Sequence, residues 1–274
     1  MKLALSTLLF PRKTVEEAVK QAADIGFNSV EILYEIPHFI PKIDYEKLEG
    51  LRDLLKSLGM TSTLHASFWD LNPMSQHPAI RETAILQTKD SIHACDILGS
   101  ELVTIHPGRC IYHMMDDMFA QAKNWYREYM LECWAYARDL GVKLAVESGM
   151  APTDYPNTSD QMAELTGYFE NLGVTIDVAH MYIRATAAGD RDPEGEIVRA
   201  LFELGKRVYN VHFHDNNGII DEHLVPGKGS MDWERVLEAI KEVKYDGSLV
   251  LELWKPENSL ETGKKGFAVM KDKL

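Results

Sequence analysis

Cysteine is scarce in this chain. The three present, Cys95, Cys110 and Cys133, lack metal-type pair spacing. They therefore supply no disulfide framework, and their number fits a reducing compartment. Cys95 and Cys133 fall in helical patterns and read as core. Cys110 falls in a loop near the candidate site, without a partner base to make it a nucleophile. Long apolar runs are also missing: none approaches the ~20 residues that span a bilayer. The opening MKLALSTLLFPRK is interrupted too soon for a signal peptide. The expected location is cytoplasmic, with no membrane partner. Basic charge is short as well, with 29 Lys and Arg against 42 Asp and Glu and a formal net charge of −13. Proteins that hold long nucleic acids carry a basic face, so no nucleic-acid partner is expected. Bound metal would cancel part of the negative charge. Linkers and low-complexity stretches are absent, and 45% of the residues are apolar. One domain over residues 1–274 is expected, with a substantial core.

What the chain does have is a repeat. Gly26, Gly59, Gly99, Gly141, Gly173, Gly205 and Gly247 each follow a helical pattern and precede a strand-like run, at gaps of 32 to 42 residues. Five of them sit in Leu-Gly pairs. Glycine is favoured just past a helix end, where the backbone turns left-handed. The following runs, 28–33, 61–65, 101–106, 142–147, 174–177, 208–213 and 248–253, are short and rich in Val, Ile and Leu. An opening run at 2–6 makes eight. Helix starts agree. Thr14 with Glu17 and Thr158 with Gln161 have capping-box spacing, Asp192 precedes Pro193, and Trp233, Val236, Leu237 and Ile240 form one stripe. Apolar strands alternating with helices imply a parallel sheet covered by helices. The α/β class predicted is a closed (β/α)8 TIM barrel. An open doubly wound sheet is the alternative, because periodicity does not report closure.

In a barrel, chemistry gathers where strands end and the following loops begin. Those positions carry His65, His106, Glu147, Asp177 with His180, His212 and Glu252, spaced by 30 to 41 residues; the loop after the seventh run adds Asp221 and His223. Any one of these alone reads equally well as a hydrogen-bonded strand end. Nine at equivalent positions do not, since crowded carboxylates and imidazoles stay poorly solvated unless a cation holds them. Carboxylate oxygen mixed with imidazole nitrogen suits Zn, Mn, Co or Fe, with Mg as a further candidate. His214 points inward if His212 does, either lining the pocket or supporting a ligand. His38, His77, His93 and His113 fall outside this register and read as ordinary polar residues. Phe10, Phe68, Trp69 and Trp254 are candidates for a pocket wall or for plain packing.

Six segments together resemble the xylose isomerase-like TIM-barrel superfamily: LHASFWDLNP (64–73), VTIHPG (103–108), LAVES (144–148), TIDVAH (175–180), VHFHDNNGIIDEHLVPGKGSMDW (211–233) and YDGSLVLEL (245–253). That group holds sugar and sugar-phosphate isomerases and epimerases, and the endonuclease IV type of abasic-site nuclease. In the isomerase branch, the resemblance implies one divalent metal on Glu147, Asp177, His212 and Glu252. The two glutamates there exchange a proton with the substrate's carbons. In the nuclease branch, it implies three zincs, with His65, His106, His180, Asp221 and His223 added. Two departures stand out. Asn216, Asn217 and Gly218 occupy the loop where ketose 3-epimerases carry an arginine, and the loops at 67–74 and 108–116 lack the basic, bulky residues with which the nucleases open DNA.

The expected activity is thus a metal-dependent sugar or sugar-phosphate isomerase or epimerase. Glu147 or Glu252 removes an α-proton, and the other returns one through a metal-stabilised enediolate. His65, His180 and His214 are candidate substrate contacts. Lys228, with Lys255 or the Asn217-Gly218 backbone, is the candidate phosphate contact. The alternatives are a trinuclear-zinc phosphodiesterase acting on abasic DNA and a non-catalytic metal-binding barrel. The resemblance also implies a homo-oligomer, since family members form dimers or tetramers.

Overall fold

The computed structural model describes residues 1–40 and 42–274. The eight apolar runs become eight strands: β1 (Lys2–Ser6), β2 (Ser29–Leu33), β3 (Thr61–His65), β4 (Leu102–Ile105), β5 (Lys143–Glu147), β6 (Leu172–Asp177), β7 (Val208–Phe213) and β8 (Ser248–Leu251). All pair in parallel, and β1 bonds to both β2 and β8. The sheet therefore closes on itself, which excludes the open alternative.

Helices cover the outside: α1 (Val15–Ile25), α2 (Tyr45–Ser57), α3 (Pro78–Leu98), α4 (Asp116–Leu140), α5 (Ser159–Tyr168), α6 (Val178–Ala187), α7 (Pro193–Leu204), α8 (Trp233–Glu242) and α9 (Ser259–Met270). Each unit is one strand and one helix, except that α6 and α7 both lie between β6 and β7. Strand side chains alternate in and out. In β2, Val30 and Ile32 are fully buried on the helix side, while Ser29, Glu31 and Leu33 turn toward the barrel axis. Among the described residues, no helix is long and apolar enough to cross a membrane.

The expected N-cap side chains all engage, but only one of the two capping boxes closes. At Thr14 both arms of the capping box are made with Glu17. At Thr158 the side chain accepts from Gln161 N–H, but the Gln161 side chain accepts from Asn157, one residue earlier than a capping box requires. Asp192 caps Gly195 ahead of Pro193.

The repeat of helix-ending glycines fails at two places. Gly247 is not left-handed. Gly173 lies inside β6, and the left-handed residue after α5 is Asn171. A Cβ on Gly173 would lie 2.1 Å from the Tyr209 ring. The same Tyr209 is the extra residue where the β6–β7 register shifts: Val174 pairs with Val208, but Thr175 pairs with Asn210. A one-residue slip exchanges the two faces of a strand. This irregularity therefore brings Asn210 and His212 level with Thr175 and Asp177.

Candidate metal centre

Four strand ends meet at the C-terminal mouth of the barrel. Glu147 closes β5, Asp177 closes β6, His212 is the penultimate residue of β7, and Glu252 follows β8. Asp177 and His212 are direct register partners. One ligand atom from each of the four lies within 4.8 Å of the others, and all four side chains are buried. His212 Nδ1 is the hub, 2.6 Å from Glu147 Oε1, 3.2 Å from Glu252 Oε2 and 3.7 Å from Asp177 Oδ2. Asp177 has a second duty. Its Oδ1 accepts the His180 backbone N–H at 2.8 Å and so caps α6. This cap starts the helix directly at the strand end and leaves Oδ2 to face the centre.

Two further groups adjoin the first. His65, His106 and Glu147 form one, and His214, Asp221 and His223 the other, each with ligand atoms within 4.8 Å of one another. Glu147 thus belongs to two groups. In the third group His214 takes the place that the resemblance implied for His180. His180 Nε2 still lies 3.3 Å from Asp221 Oδ2 and 3.8 Å from Asp177 Oδ2. His214 Nε2 lies 3.1 Å from Asp177 Oδ2, and its ring stacks on His223 at 4.2 Å.

The loop that carries Asp221 and His223 is built around Asp215. Asp215 and Leu224 exchange backbone hydrogen bonds at 2.9 Å. The buried Asp215 carboxylate accepts from the N–H groups of Gly227 at 2.9 Å and Gly229 at 2.8 Å. The loop is thereby folded back over the mouth. His223, in the left-handed region at φ 49°, lies 2.7 Å through Nδ1 from the Glu252 carbonyl and 2.9 Å through Nε2 from Asp221 Oδ2.

Electrostatics follow from this crowding. Burial opposes the charged imidazole of His212, but Glu31, Glu252 and Glu147 outweigh it and raise its pKa well above the usual value. Burial likewise opposes charge on His223, and Asp221 overcomes it, raising the pKa to about 9. On the other side, burial raises Glu147, Glu252 and Asp221, and the neighbouring imidazoles overcome it, so all three carboxyls titrate below the ordinary range. His106 goes the other way: burial is the largest influence and lowers it to about 4.

The donor set fits a divalent cation. Three carboxylates and one imidazole match the hard and borderline ligands such ions take. The arrangement also leaves polar atoms without partners. Glu147 Oε2 is buried, 3.2 Å from His106 Nε2 and 3.7 Å from His65 Nε2, without the alignment of a hydrogen bond. Asp221 Oδ1 is similarly unpartnered. Buried polar atoms are seldom left so unless something else satisfies them.

Above the centre opens a cavity of about 850 Å3, lined by His65, His106, Glu147, His180, Asp221, His223 and Glu252. Leu8, Leu33, Phe68, Trp69 and Trp254 supply apolar lining to the same cavity. Phe68 stacks on His106 at 4.3 Å and on Trp69 at 4.6 Å, which joins the wall to the ligands. Phe10, by contrast, is a core residue.

Two expected substrate contacts are corrected. His214 is fully buried behind Asp177 and does not line the cavity. Lys228 is exposed and lies outside the lining. The phosphate cradle fails for a physical reason: its N–H groups are already engaged. Gly227 and Gly229 donate to Asp215, Asn217 N–H donates to the Glu222 carboxylate at 2.8 Å, and Gly218 N–H donates to Asn216 Oδ1 at 2.6 Å. Lys255 pairs with Glu257 at 3.3 Å.

Sequence reasoning missed three residues. Glu31 is fully buried in β2, 3.1 Å from His212 Nε2. A lone charge in the middle of SVEIL is the signal that was there to read. Arg109 is the cation on the cavity wall among the described residues, and its Nε lies 3.3 Å from Asp154 Oδ1. Asn72 ties the loops after β3 and β4 together: its side chain donates to Arg109 O and accepts from Arg109 N–H. Neither loop shows a periodicity that marks these two.

Fold and site define a class, the (β/α)8 barrels with a carboxylate and histidine cluster at the mouth. The chain belongs to the family described as xylose isomerase-like TIM barrel, which matches residues 19–273. It is 30% identical to an uncharacterised protein of Methanocaldococcus jannaschii, covering 92% of this chain and 83% of that one. It is 23% identical to the fructoselysine 3-epimerase of Shigella flexneri, covering 92% and 90%. A crystal structure of a D-tagatose 3-epimerase-like protein superposes with a TM-score of 0.83 at 26% identity, over 100% of this chain and 99% of that one. The chain's relatives and structural neighbours thus include sugar epimerases and isomerases.

Proposed function

We propose that this protein is a divalent-metal-dependent epimerase or isomerase of an unphosphorylated sugar or related hydroxycarbonyl. The observation that carries this reading is a pair. Glu147 and Glu252 share one buried ligand group with Asp177 and His212, and both also reach the cavity wall. A cation held there would polarise a substrate carbonyl and offset negative charge developing beside it. One glutamate takes the proton from the carbon next to the carbonyl, and the other returns a proton. Both are held ionised before substrate binds, so the proton taken by one becomes the proton available for return, and their neighbours differ. Glu147 faces His65, His106 and His212, whereas Glu252 faces His212 and His223. His180, held through Nδ1 near the Ser148 carbonyl at 3.0 Å, presents Nε2 toward the cavity side, where it can steady a substrate oxygen. The apolar wall excludes water from the carbanion. Engaged N–H groups and an exposed Lys228 argue for a sugar without phosphate.

A second reading, a multinuclear phosphodiesterase, is favoured by one observation: the two additional ligand groups beside the first. Counting metal ions per chain by elemental analysis separates the two, with one expected for the epimerase and three for the phosphodiesterase. The direct test is a ketose and aldose panel that includes fructoselysine and tagatose, run on the wild type and on Glu147→Gln and Glu252→Gln. Each variant is expected to lose about 10²–10⁴-fold in kcat. Turnover that survives both changes would sink the assignment, and nicking of an abasic duplex would move it to the second reading.

A further inference from the structure

Below the mouth, the barrel axis is occupied by a polar layer rather than the branched apolar side chains usual there. Glu31 is its anchor. The carboxylate accepts from Thr63 Oγ1 at 3.2 Å and from Asn210 Nδ2 at 2.9 Å. Asn210 Nδ2 also reaches Thr104 Oγ1 at 3.2 Å, and Thr104 meets Thr175 Oγ1 at 2.9 Å. The third partner of Glu31 is His212, whose Nε2 sits between the two oxygens at 3.1 and 3.3 Å. None of these contacts opens to the cavity: Glu31 and Asn210 are 0% exposed, and neither lines it. A carboxylate removed from water costs several kcal/mol, so filling volume alone would favour Val or Leu here.

An imidazole ligates through one nitrogen and carries its proton on the other, and the partner of the second nitrogen selects which is which. An ionised carboxylate accepts only. A carboxylate at Nε2 therefore keeps a proton on Nε2, so a cation arriving among the carboxylates around Nδ1 would displace the Nδ1 proton and meet that lone pair. Nδ1 is the nitrogen that faces Glu147, Asp177 and Glu252. We infer that Glu31 is a positioning residue, which holds His212 in the one tautomer able to ligate a cation through Nδ1 and fixes the plane of its ring. The bulge at Tyr209 and the Asn210 contact serve the same end, since both place His212 directly over Glu31. This inference rests on the metal-binding part of the proposed function and needs none of the sugar chemistry.

The test uses metal ions alone, zinc(II) and cobalt(II), with no sugar. On wild-type protein labelled with 15N-histidine, zinc(II) as a diamagnetic probe is expected to shift Nδ1 of His212 and leave Nε2 protonated. Glu31→Gln keeps an acceptor and the volume but removes the charge. It is expected to lower cobalt affinity about 10–100-fold in chelator competition, with the visible cobalt spectrum retained. Glu31→Leu, which offers no acceptor, is expected to lose more and to change the spectrum. Zinc bound through Nε2 in the wild type, or cobalt affinity in Glu31→Gln equal to the wild type's, overturns the inference while leaving the epimerase reading intact. Wild-type protein that takes up no metal at all removes both.

Discussion

The two arcs of the barrel mouth are built from the same kind of strand and end in opposite chemistry. From β3 round to β8, strand ends present His65, His106, Glu147, Asp177, His212 and Glu252. From β1 and β2 the cavity receives Leu8 and Leu33, flanked by Phe68, Trp69 and Trp254. The difference teaches where the free energy of this site resides. The polar arc is costly by itself, because buried carboxylates and imidazoles must satisfy one another or a cation. The apolar arc carries no such cost and, under the proposed function, would receive the unreactive part of a substrate. Separation of the two lets the candidate ligands be set by strand register while most of the apolar wall comes from loops.

The comparison is broken most severely at Asp177, which belongs to the candidate ligand group and also caps a helix. Asp177→Asn keeps an oxygen for the His180 N–H but weakens the ligand set. Asp177→Ala loses both. Each is expected to abolish metal binding at micromolar metal, by chelator competition, and Ala alone is expected to cost a further ~1 kcal/mol in urea unfolding. Equal stability of the two variants would remove the capping role.

A smaller effect separates the arcs by function. Trp254→Ala is expected to raise KM about tenfold with kcat and metal affinity nearly unchanged, the signature of binding shared by ground and transition states. Lys228→Ala serves as its control and is expected to change nothing. A loss of metal affinity in Trp254→Ala would show that the arcs are not independent.

The gentlest probe is pH. His223 titrates near 9 in the fold against about 6.5 when unfolded. Its pairing with Asp221 therefore stabilises the metal-free protein fully below pH ~6.5, and that contribution fades as pH rises through ~9. Metal binding requires neutral imidazoles and so strengthens over the same interval. Thermal melts from pH 6.5 to 9 are expected to show falling Tm without metal and a growing Tm increment with it. Asp221→Asn is expected to flatten the metal-free slope. A slope that Asp221→Asn leaves unchanged would assign it to other groups.

Much of this was legible in the sequence, and the reasons are local. Strand spans could be read because burial on both faces demands apolar runs, and the ligands could be read because they recur at the ends of those runs. Asp177, Glu147, His212 and Glu252 needed only a repeat and a fold to be placed together. The glycine rule misled at Gly173, because a strand glycine beneath the Tyr209 ring and a helix-ending glycine look alike when only spacing is visible. The Asn217-Gly218 backbone suggested a phosphate contact until Glu222 and the Asn216 side chain were seen to occupy its N–H groups. His214 and Lys228 were placed by alternation and by charge, and neither principle reports what stands in front of a side chain.

The chain by itself determined the number of barrel strands, their alternation with helices and the residue types at the mouth, since these depend on periodicities that neighbours along the chain impose; closure of the sheet was decided by the β1–β8 pairing. Only tertiary structure decided that Glu31 stands beneath His212, 181 residues away in sequence. It also decided that a bulge sets the phase of β7 and that side chains of the same loop occupy the Asn217 and Gly218 N–H groups. Those outcomes depend on which atoms face each other across a closed barrel, and hydrogen bonds between distant segments leave no period in the sequence to read.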